Sequence, residues 1–178
     1  WLIPDKVTLI GSATLYKSEY RSNKDAEYVP SSWDNRFIFN LSAVYELPKY
    51  WSIGAKISAI GGSPYTPYDE DASSLKVTWD AAGRPVYDYT RYNGERLDPY
   101  FQVDLRVDKN FYFRKWTMGL YVDLQNVTFS KIRQPDAYLS TGEIMNPDDI
   151  PLEQRYVLET LELWSGTIVP AIGITVAF

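Results

Sequence analysis

The densest chemistry in this 178-residue chain is a set of charged side chains on one parity: Asp104, Arg106 and Asp108 in one segment, and Asp123 in the next. Residues two apart on a strand share a face. If Arg114-Lys115 is a two-residue turn, Phe113 faces Trp116, and the same register sets Arg106 opposite Asp123 and Asp104 opposite Gln125. A slip of one pair would oppose Asp108 or Asp104 to Asp123, which like-charge repulsion disfavours. The expected chemistry is an Arg106–Asp123 ion pair bracing a wall, with a place along a substrate path as the second reading. A second group, Trp79, Tyr87, Tyr89 and Tyr92 with Arg84 and Arg91 among them, would suit stacking on sugars, catecholates or peptides. The competing explanation is that these rings only pack their own loop. Carboxylates also run together at Asp69-Glu70-Asp71 and Asp148-Asp149. Neither run has the spaced oxygens and glycine of a calcium loop, so solvated charge is expected and no metal is assigned.

Composition removes several function classes. There is no cysteine and no histidine, so disulfides, thiolate and imidazole metal sites and a Ser-His-Asp triad are unavailable. Two carboxylates at a defined separation in a cleft could hydrolyse a glycoside, but sequence does not place them so. No catalytic residue and no cofactor is assigned, and an enzyme is not expected. The net charge of −5 is modest and dispersed, which argues against a nucleic-acid surface. Hydrophobic residues make up 45% and aromatic ones 16%, more rings than a globular core of this size needs.

The elements that must hold these groups follow from period-2 alternation. Six strands are predicted at about 6–19, 34–47, 51–63, 99–113, 116–128 and 167–178. The second sets Phe37, Phe39, Leu41, Ala43 and Tyr45 against Arg36, Asn40, Ser42 and Glu46; the fourth sets Phe101, Val103, Leu105, Val107 and Phe111 against Gln102, Asp104, Arg106, Asp108 and Asn110. Ile10 is the apolar intruder in the first. Strands two and three join through Pro48-Lys49-Tyr50, and strands four and five through Arg114-Lys115, whereas long loops fill about 20–33, 64–97 and 129–166.

An apolar face beside a polar face, repeated in segments of about 10 residues, is the pattern of a transmembrane β-barrel. The longest nearly uncharged stretch, Ser165 to Phe178, is short of the roughly 20 residues a spanning helix needs. The expected fold is therefore all-β: an antiparallel transmembrane barrel segment in contact with outer-membrane lipid. A soluble β-sandwich is the alternative. Short turns lie on the periplasmic side of such barrels and long loops outside, so the C-terminus is expected in the periplasm. Tyr45, Tyr50, Trp51, Phe111, Phe113 and Trp116 would form one aromatic girdle, and Trp33, Phe37, Tyr65, Tyr100 and Phe101 the other. Trp1 to Lys6 is expected to be periplasmic, the tail of a preceding turn. Six strands are fewer than the smallest barrels contain, so earlier strands of the same barrel are expected, and the chain is read as the C-terminal part of a longer precursor.

Two stretches resemble the last strands of TonB-dependent outer-membrane receptors: Arg96-Leu97-Asp98-Pro99-Tyr100-Phe101-Gln102-Val103-Asp104-Leu105-Arg106-Val107, and Trp116 to Val127 with its Asp123-Leu124-Gln125-Asn126-Val127. Ile60-Gly61-Gly62-Ser63-Pro64-Tyr65-Thr66-Pro67 and Gly166-Thr167-Ile168-Val169-Pro170-Ala171-Ile172-Gly173-Ile174 fit the same family. The resemblance implies a 22-stranded barrel of which these would be the last six strands, with a plug domain outside this chain through which TonB acts. It implies import of a scarce nutrient such as a siderophore, glycan or peptide, and allows a surface lipoprotein over the loops. It also implies that Ile174, Val176 and Phe178, together with Ile172, form the signal read by the barrel-assembly machinery. A non-transporting barrel serving as an adhesin, a scaffold or part of a surface complex is the alternative function.

Overall fold

The computed structural model describes residues 2–3 and 6–178. Six long strands form its frame: β1 (Val7–Leu15), β2 (Phe37–Leu47), β3 (Trp51–Ile60), β4 (Tyr100–Tyr112), β5 (Thr117–Gln125) and β6 (Val169–Ala177). They lie side by side in chain order, every pair antiparallel, with the two-residue strand Leu2–Ile3 folded back onto the start of β1. Trp1 lies outside the described residues. The sheet is open among the described residues, with β1 and β6 toward its two margins. The chain is thus all-β in class.

The register makes one face from six alternations. Val7, Leu9 and Ala13 oppose Tyr45, Ala43 and Phe39 across β1 and β2. Leu41 and Tyr45 then meet Ile57 and Ile53, which meet Val103 and Val107 in turn. The parity changes from odd to even between β4 and β5, because the two-residue turn at Arg114-Lys115 pairs Met118 with Phe111 and Val122 with Val107. The same face continues into β6 through Leu120 opposite Ile174 and Val122 opposite Ile172. A slip of one residue in any pair would have turned a strand over.

Nothing covers this face. Among the described residues no hydrophobic side chain is buried, and Leu15, Ile172 and Ile174 are 85%, 80% and 68% exposed. A sandwich core needs a second sheet facing the first; among the described residues the remaining sheets are two-stranded pieces outside the frame. Lys109 is the exception on the apolar face. Its Nζ bends toward the turn, donates to the Lys49 carbonyl and stands 5.3 Å from the Trp51 ring and 5.1 Å from that of Phe111. A long stem along apolar surface with its charge carried to the edge is snorkelling. Tyr50 packs edge-on to Tyr112 at 4.8 Å, and Phe113 stacks on Trp116 at 4.1 Å. Rings therefore gather at the end of the sheet that carries the tight turns.

The opposite face carries Asn40, Ser58, Gln102, Asp104, Arg106, Asp108 and Asp123, with Ile10 opposite Ser42 among them. Tyr121 lies flat over Gly173, where an added Cβ would fall 2.2 Å from the ring. Arg106 in turn lies over Tyr121, 4.1 Å from its centroid.

Strand ends fall inside the expected limits for local reasons. Arg36 and Asn126 adopt positive φ, 69° and 56°, which stops β2 at its start and β5 at its end. Gly61 and Gly62 end β3 because another chain segment passes against them; a Cβ on either would lie 1.8 Å or less from the carbonyl oxygen of Asn35 or Leu97. The loops hold more structure than alternation suggested. The middle one contains α1 (Glu70–Ser74) and α2 (Lys76–Ala82), and the last a hairpin of Ala137–Ile144 with Tyr156–Leu161. Both helices are short, and their punctuation is the readable part: Asp69 caps α1 by accepting from the Ala72 N–H at 2.9 Å, and Gly83 closes α2 at φ 63°.

Candidate functional site

All three long loops leave the same end of the sheet, and one carboxylate ties two of them to it. Asp34 is fully buried. Its Oδ1 accepts from the Ser18 N–H at 2.8 Å, and its Oδ2 meets Arg36 Nε and Arg96 Nη2, each at 2.9 Å. Arg96 also donates to the carbonyls of Asp34 and of Gly62, the latter at 2.7 Å. Burial alone would push the Asp34 carboxyl up; the Ser18 N–H, the Arg96 guanidinium and the charge of Arg36 outweigh it and hold the carboxyl below its ordinary value. Nearby, buried Asn93 donates through Nδ2 to the Pro30 carbonyl at 2.8 Å, joining the first loop to the middle one.

The last loop is fastened to the middle one by Arg155. Its Nη1 donates to the Asp71 carbonyl at 2.7 Å and to Ser74 Oγ at 2.6 Å, and it pairs with the Asp71 carboxylate at 2.9 Å. The Tyr156 hydroxyl reaches Asp80 Oδ1 at 2.9 Å, and Lys76 meets Asp80 at 2.6 Å. The run Asp69-Glu70-Asp71 is therefore not merely solvated charge: Asp69 caps a helix and Asp71 anchors a hairpin. Asp149, of the second run, accepts from Asn146 Nδ2 at 2.6 Å within a turn.

Between the three loops lies a cleft of about 550 Å³ walled by tyrosines. Tyr65, Tyr68, Tyr87, Tyr89 and Tyr92 line it, with Ser32 from the first loop and Pro135, Ala137 and Leu163 from the last. Tyr68 and Tyr87 stack at 4.6 Å, and Tyr89 and Tyr92 lie nearly parallel at 6.5 Å. The Tyr68 hydroxyl donates to that of Tyr87 at 3.3 Å. That hydrogen bond, then burial, pushes the Tyr68 phenol up to about 12. Tyr65, Thr66, Tyr68 and Pro135 also line a neighbouring recess of about 440 Å³ that holds Asp69, Glu70, Asp88, Glu95, Asp136 and Arg91.

Of the residues expected to contact a ligand, Tyr87, Tyr89 and Tyr92 are brought together here. Trp79 is not: it sits on α2, outside the cleft lining. Tyr65, Tyr68 and Asn93 belong to the site and were not anticipated. Tyr65 was expected in the loop-side aromatic girdle, at the end of the stretch Ile60 to Pro67, and lines the cleft instead; Tyr68 had no sign in the sequence. Asp88 was missed as well; its carboxylate caps the turn Tyr89–Arg91 and binds Arg91 at 2.7 Å. Hydrogen bonds from the Thr90 side chain and from Arg91 bring its carboxyl down to about 2.

On the polar face of the sheet the register places Arg106 opposite Asp123 as expected, but the ion pair forms elsewhere. Arg106 forks onto Asp108, with Nη2 to Oδ1 at 2.7 Å and Nε to Oδ2 at 2.9 Å. Residues two apart on one strand lie on the same face, and the guanidinium that forks onto Asp108 also lies over Tyr121, the β5 residue opposite Asp108. Asp123 instead accepts from Gln125 Nε2 at 3.4 Å, and Asp104 accepts from the Asn126 N–H at 2.9 Å. At the far end, Ile174 and Val176 lie on the apolar face opposite Leu120 and Met118, and Phe178 is fully exposed. Among the described residues no group of three or more carboxylates is placed to hold a metal ion. Comparison of the chain with protein-family models, with curated proteins and with solved structures finds no match.

Proposed function

We propose that the chain is wall and mouth of an outer-membrane β-barrel transporter of the TonB-dependent class, its strands crossing the bilayer and its loops capturing a nutrient outside the cell. The observation that carries this reading is the continuous, uncovered apolar face built in register by six strands. In water such a face would aggregate; against lipid it is the required surface, and backbone groups survive there only if every strand is paired. Further strands of the same barrel would pair with the outer edges of β1 and β6. Lys109 and the rings of Tyr50, Trp51 and Trp116 would lie at the periplasmic rim, where a polar edge on an apolar ring suits both neighbours. The polar face, with Arg106, Asp108 and Asp123, would line the lumen against a plug, through which TonB would act. The three interlocked loops would project outward and present the tyrosine cleft.

The absence of cysteine allows a direct test. Tyr89→Cys, in the cleft, should react on intact cells with a membrane-impermeant maleimide, and Ile172→Cys, on the apolar face, should not. Equal labelling of both would refute the bilayer placement. Energised import is tested separately: a ligand that reaches the periplasm equally well in cells lacking TonB would exclude it.

A further inference from the structure

We infer that the tyrosine cleft and the acidic recess beside it are two halves of one site for a ligand with a cationic arm, a protonated amine or guanidinium on a flexible stem, as in a short basic peptide. Binding is decided at this site; uptake of such a ligand rests on the transport reading. The recess gathers five carboxylates, Asp69, Glu70, Asp88, Glu95 and Asp136, around Arg91. Arg91 is spent on Asp88 at 2.7 Å and Glu95 at 3.1 Å, and Asp136 is met by Arg133 at 3.0 Å. The two arginines leave a negative excess, and Glu70 has no cation within ion-pair reach among the described residues.

That excess reaches the rings at the border. Burial first, then the charges of Glu95 and Asp136, push the Tyr65 phenol up against the opposing charges of Arg133 and Arg91; burial first, then Glu70 and Asp136, do so at Tyr138 against Arg91. The carboxylates thus act on the rings that border the recess. Tyr89, exposed at the surface, lines the cleft, and Tyr65 and Tyr68 line both the cleft and the recess, so a ligand across the two would touch all three rings. Ring faces attract cations, and the carboxylates beyond them hold the charge. A ferric catecholate or an acidic glycan carries the wrong sign for this place. A neutral sugar could stack on the rings but would leave the recess uncompensated.

The test uses the full-length protein in detergent, with trilysine as probe and triglutamine and maltotriose as neutral controls, read by calorimetry. Trilysine should bind at least about tenfold tighter than either control. Glu70→Gln and Tyr89→Ala should each weaken it roughly threefold to tenfold, while Trp79→Ala, outside the cleft, leaves it unchanged. Both cleft variants alter side chains at the surface, and unchanged circular dichroism will show that the fold persists. Maltotriose binding as tightly as trilysine would overturn the inference in favour of a neutral saccharide. Loss with Glu70→Gln but none with Tyr89→Ala would overturn it in favour of diffuse surface attraction. Trilysine bound by the pure protein but not taken up by cells would sustain the site and count against uptake of such a ligand through it.

Discussion

Arg96 is the residue whose loss should free the loops without touching the sheet. Its guanidinium makes a charged hydrogen bond to Asp34 at 2.9 Å and donates to the carbonyls of Asp34 and of Gly62. Arg96→Met keeps the aliphatic stem and removes all three bonds. A hydrogen bond to a charged group contributes about 1.5–3 kcal/mol and a neutral one about 1 kcal/mol. Asp34 would keep Arg36 and the Ser18 N–H, and water already reaches Arg96, whose side chain is 31% exposed. Together the three bonds amount to about 3.5–5 kcal/mol, and screening by that water brings this to about 2–3 kcal/mol, or roughly 30- to 150-fold in the open population of the first and middle loops. Limited trypsin digestion reads that population when reclosing outpaces cleavage. Cutting at Arg21 and Lys24, in the first loop and away from the substituted residue, should accelerate by that factor while the circular dichroism of the sheet holds. Acceleration of less than about threefold would refute the claim that Asp34 and Arg96 hold the loops. The pH dependence has a definite sign. The Asp34 carboxyl is held below its ordinary value of 3.8, so its contribution is complete above that pH and is lost as pH falls through the lower folded value. Asp34→Asn at neutral pH should therefore open the loops as strong acid does in the wild type.

Two further outcomes are expected. Gly62→Ala would place a Cβ 1.6 Å from the Leu97 carbonyl oxygen, which is backbone and has no rotamer to escape by; the root of the middle loop must shift at a cost of about 1–3 kcal/mol, and a wild-type melting temperature would contradict this. Tyr68→Phe should remove the phenol that ionises near 12 from an ultraviolet titration; because that value is raised above 10.0, the hydrogen-bonded neutral form stabilises the cleft up to about pH 10 and the effect is lost as pH climbs toward 12. Loss of amplitude near pH 10 in place of that near 12 would show that Tyr68 ionises like an ordinary phenol.

The frame was legible in the sequence because strand alternation is a local signal with a global consequence. Phe39, Leu41 and Ala43 on β2 declare their face without knowledge of β3, and the partners Ala59, Ile57 and Ala55 declare the same one. Register followed from turn length wherever the turn was tight: two residues at Arg114-Lys115 were enough to pair Arg106 with Asp123 across the backbone. What register did not determine was the direction of a long side chain. Arg106 has Asp123 across the strand gap and Asp108 two residues along, both on its own face, and it takes Asp108 while lying over Tyr121, the cross-strand neighbour of Asp108. That ring takes its place because Gly173 on the next strand leaves room for it, so the ring under the guanidinium depends on a residue two strands from Arg106.

The site was less legible for a related reason. Its walls come from segments separated by up to 131 positions, Ser32 to Leu163, and no periodicity links them. Tyr87, Tyr89 and Tyr92 stood out because they crowd one stretch; Tyr65 and Tyr68 did not, because their partners are about 20 residues off and reach them only through the fold of the loop. Trp79 misled for the converse reason. It shares the loop with the tyrosines, but the Asp69 cap and the Gly83 stop make a helical step of its stretch and carry its ring away from the cleft. What assembles the cleft is polar and unpatterned: Asp34 with two arginines, Asn93 on Pro30, Arg155 on Asp71 and Ser74. Each contact costs a charge or an amide its water and regains it only in one geometry, so the loops gain a fixed shape without an apolar core. A cleft held in this way keeps its rings at the surface, where Tyr89 is 71% exposed, and that exposure makes them available to a ligand instead of to one another.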